Sequence, residues 1–279
     1  MKLAGWLAAA LLWTCPLAAQ ELPPAPAEEP PRAGAVLISV DRKVAPPEKV
    51  GLYLRTREGE VKKVLECEPY DVKLLRDGGL LVAERWLGRV TLLDRDKQVL
   101  FKKEGLVEPV DVEMAPDGTI VVVLRAAGEV IGLDRTSGAV AWRRTGFSSP
   151  FDCELLPDGS LVVADSGADR VVVLDPRGQV LRTVTGITFP NTIDVLEGGG
   201  MLVTDWSGGH LFEVDPQGKV ISRRDLGANV YRAWRRADGM TVVATGDGKL
   251  TVYDQRGQVL VTEDLPPGGL VDVEPIDEV

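Results

Sequence analysis

Residues 150–189 contain four short apolar segments separated by polar turns. The first segment opens at Pro150-Phe151-Asp152, and the others occupy residues 161–164, 170–174 and 180–184. The intervening turns, at residues 157–159 and 175–178, carry Asp-Gly or Asp-x-x-Gly and suit tight hairpins between antiparallel strands. A four-stranded sheet of this composition cannot bury both apolar faces by itself. The pattern therefore predicts one blade of a repeat protein, covered on each side by another copy.

The same pattern recurs along the chain every 40 or 41 residues. The first turn is found at Asp77-Gly78, Asp117-Gly118, Asp158-Gly159, Gly198-Gly199 and Asp238-Gly239. The second turn is found at residues 94–97, 134–138, 175–178, 215–218 and 254–257. Five repeats are therefore whole or nearly whole, and the two ends of the chain decide whether there is a sixth.

The two ends of the chain contain complementary parts of one further repeat. Residues 36–40, 52–54 and 61–65 read as its second, third and fourth strands, with no first strand before them. Residues 270–274 match the first strand at residues 109–113. The sequence thus predicts an all-β, six-bladed β-propeller with four-stranded antiparallel blades, closed by three N-terminal strands and one C-terminal strand. Such a closed ring leaves few exposed sheet edges, whereas the alternative of an open β-solenoid needs no complementary ends.

The amino-acid composition limits which classes of binding partner are expected. Of the 279 residues, 44% are hydrophobic, which is ample for a core, and the formal net charge is -10. An acidic protein lacks the cationic footprint that nucleic acids and anionic membranes require. The single histidine, His210, excludes most metal and acid–base sites built on imidazole.

The N-terminal residues resemble an export signal. Lys2 is followed by an apolar stretch too short to span a bilayer and then by Leu17-Ala18-Ala19. We therefore interpret residues 1–19 as a signal peptide, with a lipoprotein anchored at Cys15 as the alternative, and expect a periplasmic or extracellular protein without a transmembrane segment. Residues 20–34 are rich in Pro, Glu and Ala and are expected to form a disordered spacer. The propeller domain is assigned to residues 35–279.

The best-defined repeat resembles an NHL repeat. The resemblance rests on Pro150-x-Asp152, on residues 157–167, on Asp169-Arg170-Val171 and on Asp175-x-x-Gly178. Leu124 and Thr245 stand where the third repeat has Asp165, so two copies depart from the motif. The resemblance implies a propeller, and it implies binding by one face of the disc more often than catalysis.

Charged residues recur at the start of the first strands. Propeller geometry places these positions around one mouth of the central channel, namely Asp71, Asp111, Asp152, Thr192, Arg232 and Asp272. Two residues further along, strand alternation puts a second ring on the same side, formed by Lys73, Glu113, Glu154, Asp194, Trp234 and Glu274. Carboxylates this close cannot all stay ionised without compensation.

Two interpretations of the acidic mouth stay open. Asp71, Asp111, Asp152 and Asp272 are candidate ligands of Ca²⁺ or Mg²⁺, because oxygen-rich sites without imidazole favour these ions. Alternatively, each aspartate bonds its own turn and the channel contains only water.

Aromatic and polar residues lie on the same predicted face. Glu84, Asp165 and Asp205 end second strands, and Trp86, Trp206 and His210 follow in the next loops. The candidate ligand-binding residues are Tyr70, Trp86, Asn191, Asp205, Trp206, Tyr231 and Arg232. Aromatic rings beside charged groups suit the binding of a protein, a peptide or a small molecule, whereas the alternative is that the rings pack the joints between blades.

The sequence predicts a secreted or periplasmic, monomeric binding protein that uses this face. The alternative is a divalent-metal-dependent hydrolase, since Pro190-Asn191 is similar to a segment of the gluconolactonase-like propellers whose asparagine binds metal. Streptogramin lyases use several histidines, which this chain lacks. The Ser137-Gly138 to Trp142 pattern resembles quinone-cofactor propeller repeats but occurs once, and we interpret it as coincidental. Cys67 and Cys153 are expected to be thiols, because they lie two blades apart.

Overall fold

The computed structural model describes residues 32–43, 45–227, 229–265 and 272–276. Within them, 24 strands form six four-stranded antiparallel sheets, the blades of a β-propeller. The predicted signal peptide, the Cys15 anchor and most of the predicted spacer lie outside the described residues.

In five blades the strands follow chain order as a meander, and the closing blade combines strands from both ends of the chain. The closing blade contains β1 (Val36–Val40), β2 (Gly51–Arg55) and β3 (Val61–Leu65), together with β24 (Asp272–Pro275). The second and third blades contain β4 (Asp71–Leu74), β5 (Leu80–Glu84), β6 (Arg89–Leu93) and β7 (Val99–Lys103), then β8 (Pro109–Met114), β9 (Ile120–Leu124), β10 (Glu129–Leu133) and β11 (Val140–Thr145). The fourth and fifth contain β12 (Pro150–Leu155), β13 (Leu161–Asp165), β14 (Arg170–Leu174) and β15 (Val180–Thr185), then β16 (Pro190–Val195), β17 (Met201–Asp205), β18 (His210–Val214) and β19 (Val220–Asp225). The sixth contains β20 (Val230–Arg235), β21 (Thr241–Thr245), β22 (Lys249–Tyr253) and β23 (Val259–Asp264). Three short 3-10 turns occupy Pro47–Lys49, Arg85–Leu87 and Ser166–Ala168.

The predicted closure of the ring is confirmed. β24 pairs antiparallel with β1, with Ile38 opposite Val273 and Ser39 opposite Asp272. The sheet order β24-β1-β2-β3 makes the C-terminal strand the innermost strand of the closing blade. Residues 270 and 271, which belong to the predicted strand, lie outside the described residues.

The aspartates of the turns stabilise the hairpins locally. In the first turns, the Asp77 and Asp158 carboxylates accept hydrogen bonds from the amides two residues later, at 2.9 Å in both cases. In the second turn of the fourth blade, Asp175 Oδ1 accepts from the amides of Arg177 and Gln179. Gly178 follows with φ +87°, a conformation that costs other residues free energy. Because these turns recur along the chain, the strands between them recur as well.

The core lies between neighbouring blades. Val121 and Val122, consecutive in β9, are both fully buried, because each face of the blade packs against another blade. One cluster joins Leu81 and Val90 of the second blade to Ile120 and Val122 of the third. Burying such a side chain contributes about 1.5–3 kcal/mol, so inter-blade packing dominates the stability of the ring.

The propeller unit includes residues that the sequence assigns to the spacer. Ala33 is buried in the cluster that contains Val36 and Val273. Its amide donates to Glu263 Oε2 at 3.3 Å, and the Gly34 carbonyl accepts from Arg55 Nη1 at 3.1 Å. In the described residues, no helix is long and apolar enough to cross a membrane, and Cys67 and Cys153 are free thiols, as expected.

Candidate binding face around the channel mouth

A break in strand register shapes the mouth of the channel. In β12 the pairing to β13 shifts between Pro150 and Asp152, and β8 and β20 show the same shift at the equivalent place. A β-bulge of this kind re-aims the extra residue, so two consecutive side chains face the same space. Phe151 and Asp152 accordingly line one cavity together.

This cavity collects many of the residues predicted from the sequence. It has a volume of about 30 Å³. The lining residues are Tyr70, Asp71, Val110, Asp111, Phe151, Asp152, Asn191, Thr192, Arg232 and Asp272. The four candidate metal aspartates are among them, as are three of the seven candidate ligand-binding residues. Trp86, Asp205, Trp206 and Tyr231 lie outside its lining.

The mouth aspartates bond across the joints between blades, not within their own turns. Asp71 Oδ2 accepts a hydrogen bond from the Val112 amide of the next blade at 3.0 Å. Asp111 Oδ2 accepts from Cys153 N at 3.0 Å, and Asp152 Oδ2 accepts from the amide of Ile193 at 2.6 Å. The alternative interpretation, that each aspartate bonds its own turn, is therefore wrong for these three. Each of these carboxylates instead joins the innermost strand of its own blade to the innermost strand of the next blade.

A buried arginine and a half-buried lysine balance part of the acidic charge. Arg232 Nη1 lies 3.5 Å from Asp272 Oδ1, and its Nη2 lies 3.4 Å from Glu274 Oε2. In the second ring, Lys73 Nζ lies 2.6 Å from Glu113 Oε1 and 3.5 Å from Glu274 Oε1. Burial by itself lowers the pKa of Lys73 and of Arg232. Nearby carboxylates outweigh burial and raise both pKa values well above the ordinary ones: Glu274 and Glu113 for Lys73, and Glu274 and Asp272 for Arg232. Arg232 and Lys73 thus remain charged inside the channel.

Burial changes the titration of the remaining carboxyls. It raises the pKa of Asp71 and Asp111 well above their ordinary value, and repulsion from neighbouring aspartates adds to the effect. Burial also raises the pKa of Asp152 to about 6 and that of Glu154 to about 8. For Glu154, Lys73 lowers the pKa while Glu113 raises it further. Part of the acidic channel therefore takes up protons near neutral pH.

The mouth aspartates are the predicted ligands of Ca²⁺ or Mg²⁺. Among the described residues, no group of three or more His, Cys, Asp or Glu side chains is arranged to hold a metal ion. Asp71, Asp111 and Asp152 each use one oxygen for a backbone amide, and Asp272 faces Arg232. The charge of the mouth is therefore compensated by the protein itself, through inter-blade hydrogen bonds, through Arg232 and Lys73 and through raised pKa values.

The carboxylates that end the second strands support the fold. Asp205 is 1% exposed, with Oδ1 accepting from the Gly208 amide at 2.8 Å and Oδ2 2.9 Å from His210 Nδ1. Asp165 likewise accepts from Arg170 Nε and from the amides of two serines before β12. Asp205 is thus engaged within its own hairpin, and the prediction that it contacts a ligand is not supported.

The aromatic side chains around the mouth, here called the rim, are partly covered by arginines. The sequence did not indicate these contacts. The Arg85 guanidinium lies 4.9 Å from the Tyr70 ring centroid and 4.3 Å from that of Trp86. The Trp86 indole N–H donates to Asp41 Oδ2 at 2.6 Å, and Lys43 Nζ lies 4.9 Å from the same ring. Such cation–π contacts hold the rings in place. Trp86 is therefore half-buried between cationic groups of its own chain.

A second arginine repeats this arrangement in the third blade. Arg125 lies 4.9 Å from the Phe151 centroid, and the Phe151 and Phe189 rings are 5.6 Å apart. Glu108 Oε2 lies 2.9 Å from Arg85 Nη2 and 3.0 Å from Arg125 Nη1. The Glu108 carboxylate thus forms ion pairs with both arginines. The equivalent spacing of Arg85 and Arg125, 40 residues apart directly after β5 and β9, is the signal that could have indicated the pair.

Trp206 and Tyr231 form the more open side of the rim. Trp206 is 37% exposed, and Tyr231 is half-buried beside it. Burial raises the pKa of Tyr231, while a hydrogen bond with Trp206 acts in the opposite direction. Asn191 Nδ2 donates to the Tyr231 carbonyl at 3.1 Å. The Asn191 amide therefore bridges two blades, and among the described residues no group of three or more His, Cys, Asp or Glu side chains is arranged to bind a metal with it.

Sequence comparison places part of the chain near one propeller family. The family model described as outer membrane protein assembly factor BamB matches residues 86–186, about a third of the chain. The match includes Ser137 to Trp142, whose similarity to quinone-cofactor repeats was interpreted above as coincidental. It supports a propeller, but it does not confirm the expected NHL repeat. No curated protein matches the sequence.

Solved structures support the fold over most of the chain. A Bacteroides caccae protein of unknown function matches with a TM-score of 0.71 and 16% identity, covering 90% of this chain and 100% of that one. Virginiamycin B lyase from Staphylococcus aureus matches with a TM-score of 0.60 and 12% identity, covering 72% and 71%. A catalytically inactive histidine-to-alanine variant of that lyase is similar to the same degree. At these identities the likeness concerns the fold alone.

Proposed function

We propose that this protein is an exported β-propeller binding module and that the face around the channel mouth binds a partner protein. The proposal rests on one observation. The cavity at the mouth has a volume of only about 30 Å³, and it is surrounded by aromatic and arginine side chains. Small-molecule sites enclose about 300–1,000 Å³, so the mouth is too small for a substrate of ordinary size. A partner protein can instead bind to the aromatic and arginine side chains around the mouth.

The composition of the rim supports a protein partner. Tryptophan, tyrosine and arginine are the residue types that contribute most to protein–protein binding. Trp206 is exposed and Tyr231 is partly exposed, whereas hydrogen bonds and ion pairs within the chain hold the mouth carboxylates in place. A rigid base under accessible aromatic side chains reduces the entropy lost on binding.

Two further observations support an exported protein with a protein partner. The partial match to an outer membrane protein assembly factor concerns residues 86–186 of the propeller. The signal-like residues 1–19 support export, with Gln20 as the proposed mature N-terminus. Mass spectrometry of the mature protein tests this point, since lipid on Cys15 would replace a free exported protein with an anchored one.

Site-specific photo-crosslinking in the native host tests the binding face. A photoreactive amino acid replaces Trp206 in one variant and Arg177, in an exposed turn on the opposite face, in the control. We expect a specific protein adduct from position 206 only. With the captured partner purified, Trp206→Ala should weaken binding about tenfold or more, as for an aromatic anchor, while Arg177→Ala should not. Equal crosslinking from both positions, or unchanged affinity of Trp206→Ala, would contradict the proposal.

A further inference from the structure

Three consecutive blades each place one aspartate in the lining of the mouth cavity, namely Asp71, Asp111 and Asp152. Among the described residues, the only hydrogen-bond donor to Asp71 and to Asp152 is an amide of the next blade, and in both cases it bonds Oδ2. Asp111 bonds the Cys153 amide in the same way and also interacts with the Cys153 thiol. Asp71 and Asp152 therefore each keep one oxygen, Oδ1, for a further donor.

Asp272 departs from this bonding pattern. It lines the same cavity and is 6% exposed, and its Oδ1 lies 3.5 Å from Arg232 Nη1. Its Oδ2 is buried and has no hydrogen-bond partner among the described residues. A buried acceptor without a donor is unfavourable, and such a group indicates that a bound water, ion or ligand supplies the donor.

The basic groups of the channel do not form ion pairs with the three consecutive aspartates. Arg232 pairs with Asp272 and Glu274 of the closing blade. Lys73, one layer deeper, pairs with Glu113 and Glu274. Within the described parts of the chain, neither Arg232 nor Lys73 forms an ion pair with the aspartates of the second, third and fourth blades. The compensation of charge is therefore incomplete on that side of the mouth.

The surroundings of the cavity favour a cation when all nearby charged groups are counted. The two rings, together with the rim residues that stack on Tyr70 and Phe151, contain nine carboxyl groups and four cationic groups. The carboxyl groups are Asp71, Asp111, Asp152, Asp272, Glu113, Glu154, Asp194, Glu274 and Glu108, and the cations are Lys73, Arg232, Arg85 and Arg125. Three basic residues further out each have an acidic neighbour, in the pairs Arg235–Glu213, Arg42–Glu68 and Lys43–Asp41. The formal surplus is thus five negative charges. Protons held by the carboxyl groups reduce it, and a bound cation displaces such protons.

The size and lining of the cavity restrict the kind of cation. Its volume is about 30 Å³, and a group the size of a water molecule needs about 10–15 Å³. A compact ammonium group fits this space, whereas a planar guanidinium group is larger. Tyr70, Val110 and Phe151 line the cavity beside the aspartates. A lysine side chain, with a charged end on an apolar stem, matches both parts of this lining.

We propose that the channel mouth binds the ε-ammonium group of a lysine that the partner protein presents. The ammonium donates hydrogen bonds to the available oxygens of Asp71, Asp152 and Asp272, and the alkyl stem packs against Tyr70 and Phe151. Three acceptors satisfy an ammonium group, whereas Ca²⁺ takes six to eight oxygen ligands. This inference names the chemistry of the partner and rests on the binding face proposed above.

Three matched probes test the requirement for an ammonium group. The probes are the Nα-acetyl amides of lysine, of norleucine, which has the same four-carbon stem without the ammonium, and of arginine. They are titrated into the ¹⁵N-labelled mature chain at pH 8, where Asp152, with a pKa of about 6, is ionised. The amides of Cys153 and Ile193 donate to mouth aspartates, so their NMR shifts report binding. The Thr119 amide, which donates to an aspartate of an exposed turn, is the internal control.

We expect the lysine probe to shift the two mouth amides and to bind about tenfold or more tightly than the norleucine and arginine probes, because charge-assisted hydrogen bonds are roughly twice as strong as neutral ones. The Thr119 amide should not shift. Equal affinity for the three probes, or no shift of the mouth amides at millimolar concentration, would overturn the proposal.

Variants locate the site and guard against loss of folding. Asp152→Asn should weaken the lysine probe about tenfold, whereas Asp158→Asn, in an exposed turn of the same blade, should leave its affinity unchanged. Thr192→Asp places a carboxylate at the mouth position of the fifth blade and should tighten binding several-fold. A gain of affinity cannot arise from misfolding. Unchanged affinity in both Asp152→Asn and Thr192→Asp, or an equal loss in Asp158→Asn, would overturn the assignment.

The probe experiment and the crosslinking experiment can fail separately. A specific adduct from position 206 without any response to the lysine probe would overturn only the ammonium site. A response to the lysine probe without an adduct would contradict the protein partner and leave the ammonium site in place.

Discussion

The pKa of Glu154 leads to a specific prediction about stability and pH. Glu154 is half-buried in the second ring of the channel, and burial raises its pKa from 4.5 to about 8. The native protein then binds a proton that the unfolded chain releases at lower pH. Since the native state holds more protons between these two values, the free energy of unfolding falls as pH rises through this window and levels off above pH 8.

The magnitude follows from the same shift. Each pH unit inside the window lowers the free energy of unfolding by about 1.4 kcal/mol for one such group. Between pH 6 and pH 9 the loss from Glu154 alone amounts to about 2–3 kcal/mol. For a propeller of this size, that corresponds to a fall in Tm of about 5–10 °C.

Replacing Glu154 by glutamine removes this titration and keeps the shape of the side chain. We expect Glu154→Gln to flatten the dependence of stability on pH and to be more stable than the wild type at pH 9. Urea unfolding at pH 6, 7, 8 and 9 measures the effect. Glu197→Gln is the matched control, because Glu197 is exposed in the first turn of the fifth blade and its replacement should leave the wild-type slope intact. Parallel pH profiles for the wild type and Glu154→Gln would refute the reasoning.

Three more outcomes are expected. Deleting residues 268–279 removes β24 and its pairing with β1, so the product should be insoluble or melt far below the intact protein; a shift of only a few degrees would contradict the closure. Asp111→Ala should lower the free energy of unfolding by about 1–3 kcal/mol, since the buried Cys153 amide loses its acceptor, whereas Asp111→Asn should cost less. Millimolar Ca²⁺ should leave Tm unchanged, because the mouth carboxylates already have partners in the protein; a rise that grows with Ca²⁺ concentration, and that is lost in Asp111→Asn, would restore the cation site.

Much of the fold could be predicted from the sequence because its determinants are local. The aspartates and glycines of the turns act within three or four residues, and they recur at a spacing that defines the blades. The complementary ends of the chain predicted the pairing of β24 with β1, although the two strands are more than 200 residues apart. Propeller geometry also predicted which first-strand residues line the channel mouth.

The partners of the mouth residues depend on tertiary structure. Asp71, Asp111 and Asp152 accept from amides 41 or 42 residues away, and a one-dimensional pattern does not distinguish this from a bond within the turn. Whether a carboxylate binds a metal, an amide or a cation depends on where the next blade places its groups.

A cavity lined by four arginines, between the closing blade and the sixth blade, is also a product of ring closure. Arg32, Arg57 and Arg236 have no common motif in the sequence, and Arg236 lies 204 residues from Arg32. They meet because the last strand completes the first blade and brings the sixth blade against it. Local sequence therefore determined the blades, whereas the joints between blades decided the charge, the contacts and the cavity from which the proposed binding face is built.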